Sequence, residues 1–229
     1  MQFGELTLWC DQRAIRPRLW TVAQAEWAAE LTREVPSGRC LELFSGVGPI
    51  GLSFVKSTGC ELVQIDNNPI ACHCATVNAH TAGLHHLVHV RCGDASRTLS
   101  HEEQFALIIA DPPWVRSART KLYPEDPIGA IDGGSDGLAI AREALHVIHR
   151  HLLSEGQAVL QLGSLDQVEA LQRDGASGLR VLDVRVPSPR GVLVRLKRGN
   201  AAAPSLPASG EFPTARGQFG VGERIDSRA

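Results

Sequence analysis

The sequence predicts an α/β fold: a mostly parallel seven-stranded sheet with an antiparallel last strand, helices on both faces and a short N-terminal β-hairpin. Three observations predict it. From Pro36 onward, short apolar runs alternate with segments of helical period, the pattern of strands joined by crossover helices. The first of these runs leads into Gly46-Val47-Gly48-Pro49-Ile50-Gly51, a glycine-rich turn of the kind that joins strand to helix at a ligand site. The last two runs are separated only by Pro187-Ser188-Pro189-Arg190-Gly191, too short for a crossover helix, which makes that pair antiparallel.

In chain order, residues 3–9 and 12–16 read as the hairpin, and Thr21 is a candidate N-cap for a helix reaching about residue 33. Strands are expected at 40–44, 61–65, 86–91 and 105–110, with helices at 49–56 and 69–81 between the first three. A long loop covers 112–135. Leu138, Ala141, Leu145 and Ile148 give the next helix its apolar face as far as about residue 152. Ser154-Glu155-Gly156 is expected to turn into a strand at 157–162, followed by a short helix at 166–173 and closing strands at 180–186 and 192–197. Residues 1–36 are expected to pack, as hairpin and helix, on a main domain spanning 37–198. From 199 to 229 Gly, Ala, Pro and Ser dominate, the composition of a disordered tail. No internal repeat with a period of about 20–50 residues occurs.

Composition removes several function classes. The chain has 229 residues, 43% of them apolar, enough for one full core. Its 23 basic and 25 acidic side chains give a formal charge of −2, which provides no broad footprint for a nucleic-acid backbone. No segment approaches the roughly 18 unbroken apolar residues of a membrane helix, and the N-terminus lacks the pattern of a signal peptide, so a cytoplasmic location is expected. The six cysteines are read as reduced. Cys72, His73, Cys74, His80, His85, His86, His89 and Cys92 crowd into 21 residues, but their spacing fits no zinc motif and no metal is expected.

The chemistry gathers at strand ends. Asp111-Pro112-Pro113-Trp114 follows the apolar run 105–110, and two consecutive prolines hold the Asp111 carboxylate and the Pro112 carbonyl rigidly, two acceptors for one NH₂ group. Trp114 offers a flat face to a planar amide or nucleobase. Glu42, Phe44, Ser45, Gly46, Val47 and Gly48 form the glycine loop and its approach, a candidate cofactor cradle. Asp66, with Asn67, ends the second strand 15 residues beyond Gly51, where a carboxylate can accept both ribose hydroxyls. Asp94 and Ala95, after the third strand, could take an adenine amino group. A dinucleotide competes for this pattern, but its pyrophosphate would meet Glu42 as a like charge. S-adenosyl-L-methionine has the adenine and ribose without the phosphates, and its sulfonium suits nearby carboxylates, Asp111 included. Arg116, Arg119 and Lys121 give the long loop a basic stretch, either a contact for an acidic substrate or a solvated surface.

Together these residues resemble the class I S-adenosylmethionine-dependent methyltransferases, whose fold is Rossmann-like. Within them the chain looks like the release-factor glutamine methyltransferases. Ile15-Arg16-Pro17-Arg18-Leu19-Trp20-Thr21 is similar to that family's Arg-Pro segment before its first helix, and Gly133-Gly134-Ser135-Asp136-Gly137-Leu138 to its Gly-Gly-x-Asp-Gly-Leu segment; the likeness covers residues 3–197. Residues 37–198 would then be the catalytic domain. That family usually has Asn where this chain has Asp111, and Tyr in place of Trp114. Asp-Pro-Pro-aromatic is typical of enzymes methylating adenine or guanine amino groups. The 36 residues before the first strand also leave no room for the helical recognition domain of the bacterial enzymes. Archaeal and eukaryotic relatives lack it too and work with a partner subunit, which the resemblance extends to this chain as an expectation. The leading expectation is N-methylation of a glutamine side chain in a protein such as a release factor. A nucleic-acid base is the second reading, and a non-catalytic subunit of a methyltransferase heterodimer the third. Small-molecule amines stay open.

Overall fold

The computed structural model describes residues 1–188 and 191–199; the tail expected beyond Gly199 lies outside the described residues. A two-stranded antiparallel hairpin, β1 (Gln2–Phe3) and β2 (Leu6–Thr7), opens the chain. It is followed by a 3₁₀ turn (Leu19–Thr21) and α1 (Val22–Leu31). The alternating part then runs β3 (Cys40–Leu43), α2 (Pro49–Thr58), β4 (Leu62–Asp66), α3 (Pro69–Thr81), β5 (Val88–Cys92), α4 (Ala95–Thr98) and β6 (Phe105–Ala110). After a 3₁₀ helix (Ser117–Leu122) come α5 (Ile128–Ile131), α6 (Ala139–His151), β7 (Leu152–Leu162), α7 (Leu165–Arg173), β8 (Leu179–Ser188) and β9 (Gly191–Arg198).

The last seven strands form one sheet in the order β5-β4-β3-β6-β7-β9-β8. β5 through β7 pair in parallel, whereas β9 is antiparallel to both β7 and β8. The strand order reverses between β3 and β6, and ligands of such sheets bind where the carboxyl ends meet that reversal. Strand alternation divides the core. Leu107 and Ile109 of β6 pack with Trp27, Leu31, Leu52 and Phe54 on the face covered by α1 and α2. Ile108 and Ala110 pack with Leu145, Ile148, Val168 and Leu171 on the face covered by α6 and α7. All six residues of β6 are buried, which is why this strand reads as an unbroken apolar run.

Local chemistry overrode the sequence expectations in several places. Residues 12–16 form no strand, because the Asp11 side chain accepts the Arg13 N–H at 2.9 Å and its carbonyl accepts from Ala14 at 3.0 Å, fixing a turn. Thr21 makes no side-chain cap; its hydroxyl donates instead to the Arg18 carbonyl at 2.7 Å, closing the 3₁₀ turn that precedes α1. Ser154-Glu155-Gly156 does not end an element. It falls in an irregularity within β7, where the register jumps from Phe105↔Leu152 to Leu107↔Gln157, and a Cβ on Gly156 would lie 2.8 Å from the Ala106 carbonyl oxygen. The loop expected at 112–135 carries both the 3₁₀ helix and α5.

The N-terminal segment is tied to the sheet by one buried amide. Gln24 of α1 has no exposed surface, and its Nε2 donates to the carbonyls of Ala110 (2.9 Å), at the end of β6, and Val159 (3.1 Å), within β7. Gln24→Ala removes both hydrogen bonds and should cost about 1–3 kcal/mol. Urea denaturation measures this, and a loss under about 0.5 kcal/mol would deny Gln24 the tie.

Candidate functional site

Parallel register sets the site. Leu43 lies level with Ile65 and Ala110, so the next residue of each strand, Phe44, Asp66 and Asp111, emerges at one height along the carboxyl edge. At Phe44 the backbone turns with φ of 59°, in the left-handed region that a bulky residue rarely adopts, and Gly46 (55°) and Gly48 (86°) carry the turn on to α2. Asp66 fastens this loop: its Oδ2 accepts the Gly46 N–H at 2.7 Å while Oδ1 accepts the Asn68 N–H at 2.8 Å. Burial pushes the Asp66 carboxyl up, and those N–H groups oppose the shift. Asn68 in turn caps α3, accepting from Ile70 at 2.9 Å with Pro69 in the first turn.

Glu42 lies beneath the loop and does not line the cleft. Its Oε1 accepts the Gly51 N–H at 3.1 Å and its Oε2 accepts Gln64 Nε2 at 2.6 Å. The carboxyl is fully buried, and burial raises it to about 8 against the pull of these two donors, with the Asp111 and Asp66 charges adding to the rise. Gly51 is required by this packing: a Cβ there would sit 2.2 Å from Glu42 Oε2 and 2.6 Å from Leu62. Gln64 Oε1 is buried without a partner; with its amide flipped, that oxygen would accept from a protonated Glu42.

Asp111 opens the tetrapeptide at the end of β6. Gln161 of β7 donates through Nε2 to Asp111 Oδ1 at 2.9 Å, and burial lifts the Asp111 carboxyl to about 7 despite that bond. Trp114 lies against Gly163, where a Cβ would come within 2.4 Å of its ring, and Gln167 Nε2 donates to the Trp114 carbonyl at 3.0 Å. The Gly133-to-Leu138 segment packs behind. Val115 donates to the Ile131 carbonyl at 2.9 Å, Gly133 donates to the Val115 carbonyl at 2.8 Å, and a Cβ on Gly137 would meet the Trp114 carbonyl oxygen at 2.5 Å. These contacts explain why glycines stand at 133 and 137.

A cleft of about 650 Å³ lies above these strand ends, within the usual range for small-molecule sites. Phe44, Ser45, Gly46, Val47, Asp66 and Asn67 line one part of it; Asp111, Pro112, Pro113 and Trp114 line another. Gly48 turns the loop without lining the cleft, and Asp94 and Ala95 also stand outside the lining. Asp94 Oδ1 is engaged as the cap of α4, accepting from Ser96 N at 2.8 Å and Ser96 Oγ at 2.5 Å. The sequence reading missed Gln161, whose only sequence signal is a polar residue inside the apolar run Ala158-Val159-Leu160-Gln161-Leu162. It also missed the ion pair in which Arg18 reaches both carboxylate oxygens of Asp126 across the cleft. Of the Cys/His cluster, His80 stacks on His85 with centroids 4.5 Å apart, and among the described residues no three His, Cys, Asp or Glu side chains are grouped to hold a metal ion.

Fold and cleft together define a class I methyltransferase. Residues 26–161 match the methyltransferase small domain family, and the chain belongs to that family, whose cofactor is S-adenosyl-L-methionine. It is 28% identical over 164 residues to the release factor glutamine methyltransferase of Gloeobacter violaceus, covering 69% of this chain and 57% of that protein. The enzyme of the same name from Thermodesulfovibrio yellowstonii is 31% identical over 153 residues, covering 64% and 54%. The ribosomal protein uL3 glutamine methyltransferase of Burkholderia pseudomallei is 26% identical, covering 67% and 54%. The chain therefore spans little more than half the length of these curated relatives. Among solved structures, the hMettl16 catalytic domain in complex with MAT2A 3'UTR hairpin 6 superposes with a TM-score of 0.68 at 12% identity, covering 88% of this chain and 78% of that one. The ribosomal protein methylase of Lactobacillus delbrueckii gives 0.60 at 14%, covering 82% of each. At such identities the likeness concerns the fold alone.

The raised Glu42 carboxyl makes stability depend on pH. Its ordinary value is about 4.3. Between that and about 8 the unfolded chain has lost a proton that the folded chain keeps, so stability falls as pH rises through this window. Glu42→Gln removes the titration and can pair amide to amide with Gln64. Its urea midpoint relative to the unsubstituted protein should improve steadily from about pH 5 to 8. A difference independent of pH would contradict the buried neutral acid.

Proposed function

We propose that the chain transfers the methyl group of S-adenosyl-L-methionine to the planar amide nitrogen of a protein glutamine side chain. The observation that carries this reading is Asp111: a carboxylate fixed by Pro112 and Pro113 at the floor of the cleft, held through Oδ1 by Gln161, with Oδ2 available to an incoming N–H. The glutamine assignment draws its support from relatives named for that activity.

The residues present fit the cofactor. Asp66 accepts the Gly46, Asn67 and Asn68 N–H groups and keeps lone-pair capacity for a ribose hydroxyl. The Ser45 hydroxyl at the cleft wall is buried without a partner, a polar group suited to a bound ligand. Glu42 acts indirectly in this proposal, by shaping the loop from below. Bound here, S-adenosyl-L-methionine supplies an electrophilic methyl group.

The protein's own part is orientation and charge. Asp111 Oδ2 and the Pro112 carbonyl accept the two N–H bonds of the amide and direct its nitrogen, while Trp114, seated on Gly163, holds the amide plane. Positive charge developing on nitrogen is stabilised by these oriented oxygens. Asp111, at about 7, then takes the released proton. In this proposal residues 37–198 are the catalytic domain, and residues 1–36 complete the cleft through Ile15 to Thr21.

Asp111→Ala should lower kcat by about 10²-fold or more while calorimetry shows unchanged binding of S-adenosylhomocysteine. Because the ionised carboxylate is the acceptor, kcat/KM should rise with pH through about 7, and Asp111→Asn should lack that inflection. An inflection surviving in Asp111→Asn would assign it to another group. Gly163→Ala displaces Trp114 and should reduce kcat with little change in cofactor affinity; unaltered kcat would remove Trp114 from the site. Transfer of tritiated methyl into a bacterial cell extract checks the acceptor class. Label released by protease is expected, whereas label released only by nuclease would establish the nucleobase reading that Asp111 also favours.

A further inference from the structure

Four of the nine exposed large apolar side chains among the described residues stand around the cleft. Leu19 is 63% exposed, Leu122 70% and Ile128 66%, with Tyr123 also exposed. They belong to three separate segments: the 3₁₀ turn before α1, the 3₁₀ helix of the long loop, and α5. Leu19 and Ile128 adjoin lining residues, Trp20 and Gly129, and Tyr123, which follows the 3₁₀ helix of the long loop, lines the cleft itself. The N-terminal turn and two neighbouring stretches of the long loop thus turn apolar groups outward around a single opening, and exposed apolar groups gathered in this way mark an interaction surface.

The same rim carries cations without counter-charges. Arg16, at the cleft wall, and Arg116, Arg119 and Lys121 are exposed, and among the described residues none of the four forms an ion pair. Asp126 is neutralised by Arg18, which leaves Glu125 as the opposing charge on the 123–128 stretch. The surface calls for a partner offering apolar side chains and carboxylates together. A nucleic acid would satisfy the cations, but branched aliphatic side chains such as Leu122 and Ile128 give bases no ring to stack on. A permanently seated subunit or second copy would close the opening that leads to Asp111.

We propose that this rim docks the acceptor protein itself, gripping a segment of apolar residues flanked by acidic ones while its target side chain enters the cleft. The inference rests on the protein-methylation reading above.

The test compares the unsubstituted protein with Leu122→Asp/Ile128→Asp in the transfer of tritiated methyl to nuclease-treated bacterial extract. Val186→Asp, at an exposed apolar residue of β8 outside the cleft lining, is the control. Protease-sensitive label should fall about tenfold or more in the double variant and hold in the control, with calorimetry showing the same affinity for S-adenosylhomocysteine in all three. Arg119→Glu/Lys121→Glu should lose label at low ionic strength and approach the unsubstituted protein as salt is raised. Equal labelling by the double variant would overturn the docking surface and leave the protein-methylation reading standing. Label that is nuclease-sensitive in the untreated extract, with none sensitive to protease, would overturn that reading and the docking surface with it.

Discussion

Three carboxyl groups buried at the carboxyl edge of three adjacent parallel strands are the constraint from which the rest of the site follows. Asp66 closes β4, Asp111 follows the last residue of β6, Glu42 is the penultimate residue of β3, and register fixes all three along one edge. Removing carboxylates from water is costly, and their proximity adds to the cost. The structure answers with donors: the Gly46 and Asn68 N–H groups for Asp66, the Gly51 N–H and Gln64 for Glu42, and Gln161 for Asp111. Even so, burial keeps Glu42 near 8 and Asp111 near 7. Such a cluster is mismatched with a phosphate-bearing ligand and matched to a cationic one.

The surrounding architecture serves this edge. Gly51 leaves space for Glu42 beneath α2, and Gly163 leaves space for the Trp114 ring. Gln24 reaches from α1 to the carbonyl of Ala110, immediately before Asp111, so the N-terminal segment supports the strand end that carries the acceptor. Arg18 and Asp126 then join that segment to the long loop over the cleft. Residues 1–36 are therefore part of how the site is built, although the strands that give the fold its class come later.

Much of this was legible in the sequence, and several of the exceptions depend on partners far away in the chain. β6 and α3 were readable to the residue because an unbroken apolar run and a Pro-led helix are local signals. The Asp-Pro-Pro-Trp segment was readable because proline rigidity is also local. Glu42 and Asp94 read from the sequence as cofactor contacts, whereas in the structure Glu42 packs under the loop against Gly51 and Gln64 and Asp94 caps α4 through Ser96. Gly51 taught the same lesson, since its spacing suggested close approach to a ligand while the group it accommodates is Glu42. Gln161 and the Arg18–Asp126 pair meet their partners across 50 and 108 residues, beyond the reach of any local pattern.

The central claim, that burial raises the Asp111 carboxyl to about 7 in the cleft where the cationic cofactor binds, is tested most directly by proton linkage. Calorimetric titrations with S-adenosyl-L-methionine and with the uncharged thioether S-adenosylhomocysteine, run near pH 7 in buffers of different ionisation enthalpy, count the protons released on binding. The account predicts greater release with the sulfonium ligand, and a smaller difference between the two ligands in Asp111→Asn. Equal proton release for the two ligands would contradict it.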